Sequence, residues 1–314
     1  MEKFYYTITL ASYIGFKIVP LYINLFLGFI SSRFLNVKRD TIAAILIYII
    51  GPVVFFTASY RVKFDISMVA IPMIVLFIGG ILSFGTYFLG KKVFKDNTLN
   101  ILAFSAGTGN TGYFGIPLAF MLFDERLANV YVFSVLGSLL YESTIGFFII
   151  AKGSYSVKDS LIRVLKLPAI YAMVLGLSFN FLKIKLSVDI LNYLDYFKGA
   201  YAVLGMMMIG MSLHGLNRML IDKIFISVAL IIKFILFPLV ILAVIYIDKL
   251  FFQFFNSDFY KVLFLFGVPP MAGNVVAIAT LLKSNPEKAA IAVIISTIVS
   301  IFTIPVMVAY LMPA

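Results

Sequence analysis

Cysteine and tryptophan are absent from the 314 residues, histidine occurs once, and charged side chains make up only 12%. Each shortage removes a class of function. Without cysteine there are no disulfides and no thiol chemistry, and zinc or iron–sulfur sites lose their usual donors. His214 alone builds no metal or haem centre, so no metal and no cofactor are expected. A soluble domain is usually about a quarter charged, so this chain cannot cover a water-facing surface. With no tryptophan, an interfacial aromatic belt has to come from the 18 Tyr and part of the 33 Phe.

What the chain has instead is apolar length. Hydrophobic residues make up 62%, with a mean hydropathy of +1.07. They fall in long runs, unlike the short alternating segments of a porin-like barrel. Each crossing of the hydrocarbon takes about 20 residues, and the runs predict about ten transmembrane helices. They are placed at 8–30, 42–60, 66–89, 98–122, 127–150, 161–180, 189–212, 223–247, 259–282 and 288–311, with nine as the competing count. The loops left over are short, so an all-α integral membrane protein is expected, with the lipid bilayer as its solvent. The start, Met1-Glu2-Lys3 and then apolar residues, shows no small-residue cleavage site and is read as a retained first helix.

The formal charge of +11 would suggest nucleic acid in a soluble protein. Here the basic residues sit in loops between apolar spans, which the positive-inside rule explains, and no nucleic-acid partner is expected. The bias is strongest around Lys152, Lys158, Arg163 and Lys166. It favours an arrangement with that loop inside and both termini outside.

The two halves look related. Lys17-Ile18-Val19-Pro20 with Gly28 in the first span resembles Lys166-Leu167-Pro168 with Gly176 in the sixth. Gly107-Thr108-Gly109-Asn110-Thr111-Gly112 in the fourth is matched by the proline-rich Gly267-Val268-Pro269-Pro270 in the ninth. An odd number of spans per half forces opposite orientations. Residues 1–150 and 161–314 then form two inverted five-helix repeats joined by a linker at 151–160, an architecture typical of secondary transporters.

Four glycines from 107 to 115 followed by Pro117 are too many for a smooth helix, and Pro269-Pro270 removes two backbone donors from the ninth span. In lipid, freed backbone groups need partners in protein or a wet cavity. Half-helix termini there favour an anion. Glycine and proline also serve plain helix packing. The two breaks at matching places, with Asn110, Thr111 and Asn274 beside them, point instead to a binding site.

Glu142 is the one acidic residue deep in a span, and it reads either as a proton- or cation-coupling group or as a structural anchor. Lys233 reads as its partner, as a substrate-charge contact or as a snorkelling lysine, and Lys17 is a weaker case of the same kind. The Met206–Met211 stretch is expected to pack adaptably rather than bind copper, and His214 to sit at the interface. The glycine string is no nucleotide loop, because no strand precedes it and no Gly-Lys-Ser/Thr follows. No nucleophile–base or metal constellation is evident, so an enzyme is not expected.

The string Gly109-Asn110-Thr111-Gly112-Tyr113-Phe114-Gly115-Ile116-Pro117 resembles the strongest motif of the auxin efflux carrier family. Ile49-Ile50-Gly51-Pro52, Leu167-Pro168-Ala169-Ile170 and the Ser/Thr-rich final span with Pro305 add to the resemblance. It implies a scaffold of helices 1, 2, 6 and 7, a moving part of helices 3–5 and 8–10, and a substrate site where broken helices four and nine cross. By position, Gly109, Asn110, Thr111 and Pro117 fall at the first break, and Pro269, Pro270 and Asn274 at the second.

The family's plant members look to have proline where this chain has Gly109, which argues against auxin. A small organic anion such as malate or malonate is the implied partner, carried by alternating access across a bacterial cytoplasmic membrane. A homodimer and coupling to H+ or Na+ stay open. The rivals are a sodium- or proton-coupled carrier of bile-acid type or an antiporter of similar layout, and a receptor that binds an anion without moving it.

Overall fold

The structure is a computed structural model that describes residues 2–63, 65–150, 165–212, 221–281 and 285–313. Within them the chain is helical throughout. In order the elements are α1 (Glu2–Phe34), α2 (Arg39–Arg61), α3 (Ile66–Gly90), α4 (Thr98–Ala106), α5 (111–122) and α6 (Glu125–Ile150), followed by α7 (Pro168–Phe181), α8 (Val188–Met211), α9 (Lys223–Phe252), α10 (Ser257–Leu265), α11 (Asn274–Leu281) and α12 (Pro286–Leu311). Six of them, α2, α3, α6, α9, α12 and the Ile8–Phe34 stretch of α1, are long and apolar enough to cross a membrane. Large side chains such as Phe16, Phe77, Phe88, Phe251 and Phe302 lie exposed on the outside of the bundle. In water such a surface would aggregate, whereas against lipid it is the expected finish. This is a multi-pass membrane protein.

The helix starts are written in the sequence. Asp124, Ser187, Asp222 and Asn256 each accept a hydrogen bond from a backbone N–H three residues on, at the heads of α6, α8, α9 and α10. Asp222 also receives the Lys288 ammonium at 2.9 Å. The Phe225 N–H and that ammonium together hold its carboxyl below the usual range. Several helices carry a π turn, and two of these, at Leu46–Ile50 in α2 and Ile232–Leu236 in α9, directly precede Gly51-Pro52 and Phe237-Pro238. Proline supplies no N–H to the turn before it, and the wider register absorbs the mismatch. A further π turn at Asp248–Phe252 carries α9 past its expected end at 247, until Gln253 at φ 49° closes it.

The closest helix pairs are α1 with α8 and α7 with α2. A side chain on Gly28 would stand 2.0 Å from the Met207 carbonyl oxygen, and one on Gly176 2.4 Å from that of Phe56. Bare backbone at these positions is what lets each pair approach. Gly28→Ala is therefore expected to destabilise the bundle by about 1–3 kcal/mol, the usual penalty of overpacking. A lower thermal midpoint in detergent would show it, and an unchanged midpoint would mean that the contact relaxes freely.

The core is in two parts. One cluster gathers Phe114, Ile116, Leu118, Phe264, Phe266 and Val268 with α2, α3, α6 and α8. The other gathers Ile101, Phe104, Phe225, Met271, Val275 and Ala292. The chain leaves one cluster and enters the other at 107–110 and again at 269–270, so the interrupted segments form a polar layer between two apolar ones.

Candidate functional site

The first interruption begins where α4 tightens, with the Gly107 N–H on the Phe104 carbonyl at 3.2 Å. At Asn110 (φ −74°, ψ 59°) the chain makes an inverse γ-turn, closed by the Thr111 N–H on the Gly109 carbonyl at 2.7 Å. Helix then resumes from the Asn110 carbonyl, which accepts from Gly115 at 2.8 Å in a π register. The second interruption winds tightly through Phe266, Gly267 and Val268, then passes Pro269 and Pro270, which have no N–H to give. The two meet directly, because the Asn110 N–H donates to the Pro270 carbonyl at 2.7 Å.

Backbone groups freed inside an apolar bundle have to be satisfied by protein, and here side chains do it. Ser83 donates to the Ala103 carbonyl at 2.8 Å, Tyr141 to Phe104 at 2.9 Å and Tyr131 to Thr111 at 3.3 Å. The Met271 N–H donates to the Ser296 hydroxyl at 3.1 Å. Lys233 reaches the Thr108 carbonyl at 3.4 Å, its ammonium 4.0 Å from the centre of the Phe237 ring. That ammonium stands 2.4 Å from where a side chain on Gly109 would begin, so glycine is what admits it.

Glu142, in α6, ties the two interruptions together. The Thr108 hydroxyl donates to one of its carboxylate oxygens and the Asn274 amide to the other, both at 2.8 Å. With each oxygen accepting, the arrangement suits an ionised carboxylate.

Beside this staple lies a cavity of about 150 Å³, walled by Leu46, Ile47 and Phe55 of α2, Gly109–Tyr113, Ser138 and Glu142 of α6, Leu167–Ala169, Tyr201 and Ala272–Asn274. An apolar cavity of about this size can hold a molecule as large as benzene. Asn110 is 4% exposed, and among the described residues its amide nitrogen has no hydrogen-bond acceptor. A buried donor left unpaired costs about 1–3 kcal/mol unless something else fills it.

The structure thus brings Gly109, Asn110, Thr111, Asn274 and Glu142 to one cavity, with Pro269 and Pro270 in the strand of chain behind it. Lys233 lies on the far side of Gly109 and does not line the cavity. Pro117 sits inside α5 and lines a different crevice with Asn24, Glu125 and Lys198. His214 and the basic residues Lys152, Lys158 and Arg163 lie outside the described residues. Sequence reasoning missed Thr108 as the second arm of the staple, and it missed the tyrosines that satisfy the broken ends. Thr108 stood in the glycine string, but nothing in its neighbours named a partner 34 residues away.

Residues 154–308 match the family model described as Membrane transport protein. Over that stretch, close to half of its length, the chain is similar to this family. The match takes in the second interruption and Lys233, while Asn110, Thr111 and Glu142 precede it. The protein is also 31% identical over 182 residues to an uncharacterized transporter of the archaeon Methanocaldococcus jannaschii, an alignment covering 54% of this chain and 58% of that protein. It thus spans somewhat more than half the length of the curated relative it matches. Among the described residues no three His, Cys, Asp or Glu side chains gather to hold a metal.

Proposed function

We propose that this membrane transport protein is a secondary transporter that moves a small organic anion, a mono- or dicarboxylate of the size of malate or malonate, by alternating access. The observation that carries the reading is Asn110, which lines a small, partly open cavity and whose buried amide nitrogen has no hydrogen-bond partner among the described residues. Thr111 and Asn274 stand beside it as further polar contacts, and the Gly-rich chain at 107–112 lets a ligand approach backbone N–H groups. Lys233 contributes positive charge from behind the first interruption.

Helices at the positions of the ten expected spans support the ten-crossing, inverted-repeat reading. So does the pairing of α1 with α8 and of α7 with α2, because one operation exchanging the halves would turn each pair into the other. In this reading α1, α2, α7 and α8 are the scaffold, and the remaining helices move. Both termini lie outside, and the chain sits in a bacterial cytoplasmic membrane.

Glu142 is the proposed coupling group. An anion about 6 Å from an ionised carboxylate is repelled by about 3 kcal/mol at an effective dielectric near 20. That repulsion favours uptake of a proton with the anion. The proton would displace one of the two donors on Glu142 and loosen the staple between the interruptions.

Asn110→Ala is expected to lower counterflow of radiolabelled malonate or malate in proteoliposomes about tenfold, the effect of one lost hydrogen bond to a charged group. Unaltered flux would refute the ligand role, and loss of monodisperse protein would make Asn110 structural.

A further inference from the structure

Five buried side-chain polar atoms have no hydrogen-bond partner among the described residues, and two of them are nitrogens: Asn110 Nδ2 and Arg39 Nε. Asn110 lines the cavity, and Arg39, which does not line it, reaches its edge. Arg39 opens α2, and Leu46 and Ile47, two turns further on along that helix, line the cavity. Its Nη2 stands 4.0 Å from the point where a side chain on Gly273 would begin, and Gly273 lines the cavity between Ala272 and Asn274. No ion pair joins Arg39 to any described carboxylate. An arginine that served only to orient the chain would be expected to extend into water. This one is half-buried, and its buried Nε has no hydrogen-bond partner among the described residues.

We infer that Arg39 is a second anion contact of this cavity and that it makes the site select a small dicarboxylate over a monocarboxylate. The inference rests on the proposed anion site at Asn110. One carboxylate meets the Asn110 amide, and the other meets the guanidinium, whose planar fork matches a carboxylate through two parallel hydrogen bonds. An unpaired, partly desolvated guanidinium is unfavourable in the empty protein. A ligand charge at that place relieves it, which is why the second carboxylate raises affinity.

Binding to the purified full chain in detergent tests this, with three probes of nearly equal shape: malonate, its half-amide malonamate and the neutral diamide malonamide. The wild type is expected to bind malonate about tenfold more tightly than malonamate, and malonamide least. Arg39→Gln is expected to lower malonate affinity about tenfold and to remove the preference for malonate over malonamate, while an unchanged thermal midpoint in detergent certifies the fold. A tenfold preference that survives in Arg39→Gln overturns the inference. Equal affinity of the wild type for malonate and malonamate also overturns it, but leaves the anion site at Asn110 standing. Failure of the wild type to bind either acid overturns both. Should Arg39→Gln not yield folded protein, Arg39→Lys decides. A weakened preference for malonate with malonamate binding intact supports the inference, and an undiminished preference sinks it.

Discussion

Glu142→Gln is expected to abolish the response of transport to an imposed pH gradient while leaving anion exchange measurable. The substitution keeps the length and shape of the side chain and removes the titrating group. In the native arrangement both carboxylate oxygens accept, one from Thr108 and one from Asn274. Glutamine can keep its oxygen on the Asn274 amide and turn its amide nitrogen to the Thr108 hydroxyl, which accepts as well as donates. Both arms of the staple then persist without the charge, each weaker than a hydrogen bond to a carboxylate, worth about 1.5–3 kcal/mol.

The repulsion between ligand and carboxylate vanishes with the charge, and with it the reason for a proton to accompany the anion. In proteoliposomes with labelled malonate supplied outside, an inward proton gradient should accelerate wild-type uptake by roughly a hundredfold, the ratio that corresponds to about 3 kcal/mol. The variant should take up malonate at one rate with and without the gradient. Full gradient dependence in Glu142→Gln would remove Glu142 from the coupling step and return it to a purely structural staple.

How much of this site could be read in advance follows from the range of each interaction. Length and hydropathy are summed over twenty residues, so helices lie where runs such as 66–89 and 288–311 place them. The interruptions were legible because glycine and proline act locally: the chain cannot continue a helix through Pro269-Pro270, whatever surrounds it. Asn110 and Asn274 were legible as neighbours of those breaks.

The partners were not. That Glu142 would reach both Thr108 and Asn274 depends on how α6 packs across two interrupted segments, and packing over such separations leaves no mark on local composition. Lys233 is the instructive case. Its place in a span suggested contact with substrate charge, and packing adds what composition could not show, an ammonium that reaches the Thr108 carbonyl through the space beside Gly109. Arg39 was hidden by its position, since a basic residue in a loop is already explained by the positive-inside rule.

Removing the charge of Glu125 is expected to open the opposite end of the protein. Arg61 at the end of α2 pairs with Asp195 of α8 through two hydrogen bonds, at 2.8 and 3.1 Å, and Lys198 pairs with Asp195 at 3.0 Å. These contacts join two helices of the proposed scaffold to each other. Glu125, at the head of α6, receives both cations on one oxygen, Lys198 at 3.0 Å and Arg61 as well. It is thus the point at which the proposed moving part is tied to the scaffold at this end. The other end of the bundle carries the separate Asp96–Lys288–Asp222 group.

Glu125 is well exposed, so water screens the pairs and the network is worth at most about 1–1.5 kcal/mol. In a two-state carrier that is still about a tenfold shift in the ratio of states. The absence of cysteine makes the measurement clean. Ser138→Cys places a single thiol on the cavity wall, to be labelled by a membrane-impermeant maleimide added to the Arg61 side. Glu125→Gln in that background should raise the labelling rate about tenfold, and saturating malonate should alter the rate in both proteins. An unchanged or slower rate would mean that the Arg61–Glu125–Lys198 contacts do not hold this end shut, and that closure rests on the apolar packing of α5 and α6 against the scaffold.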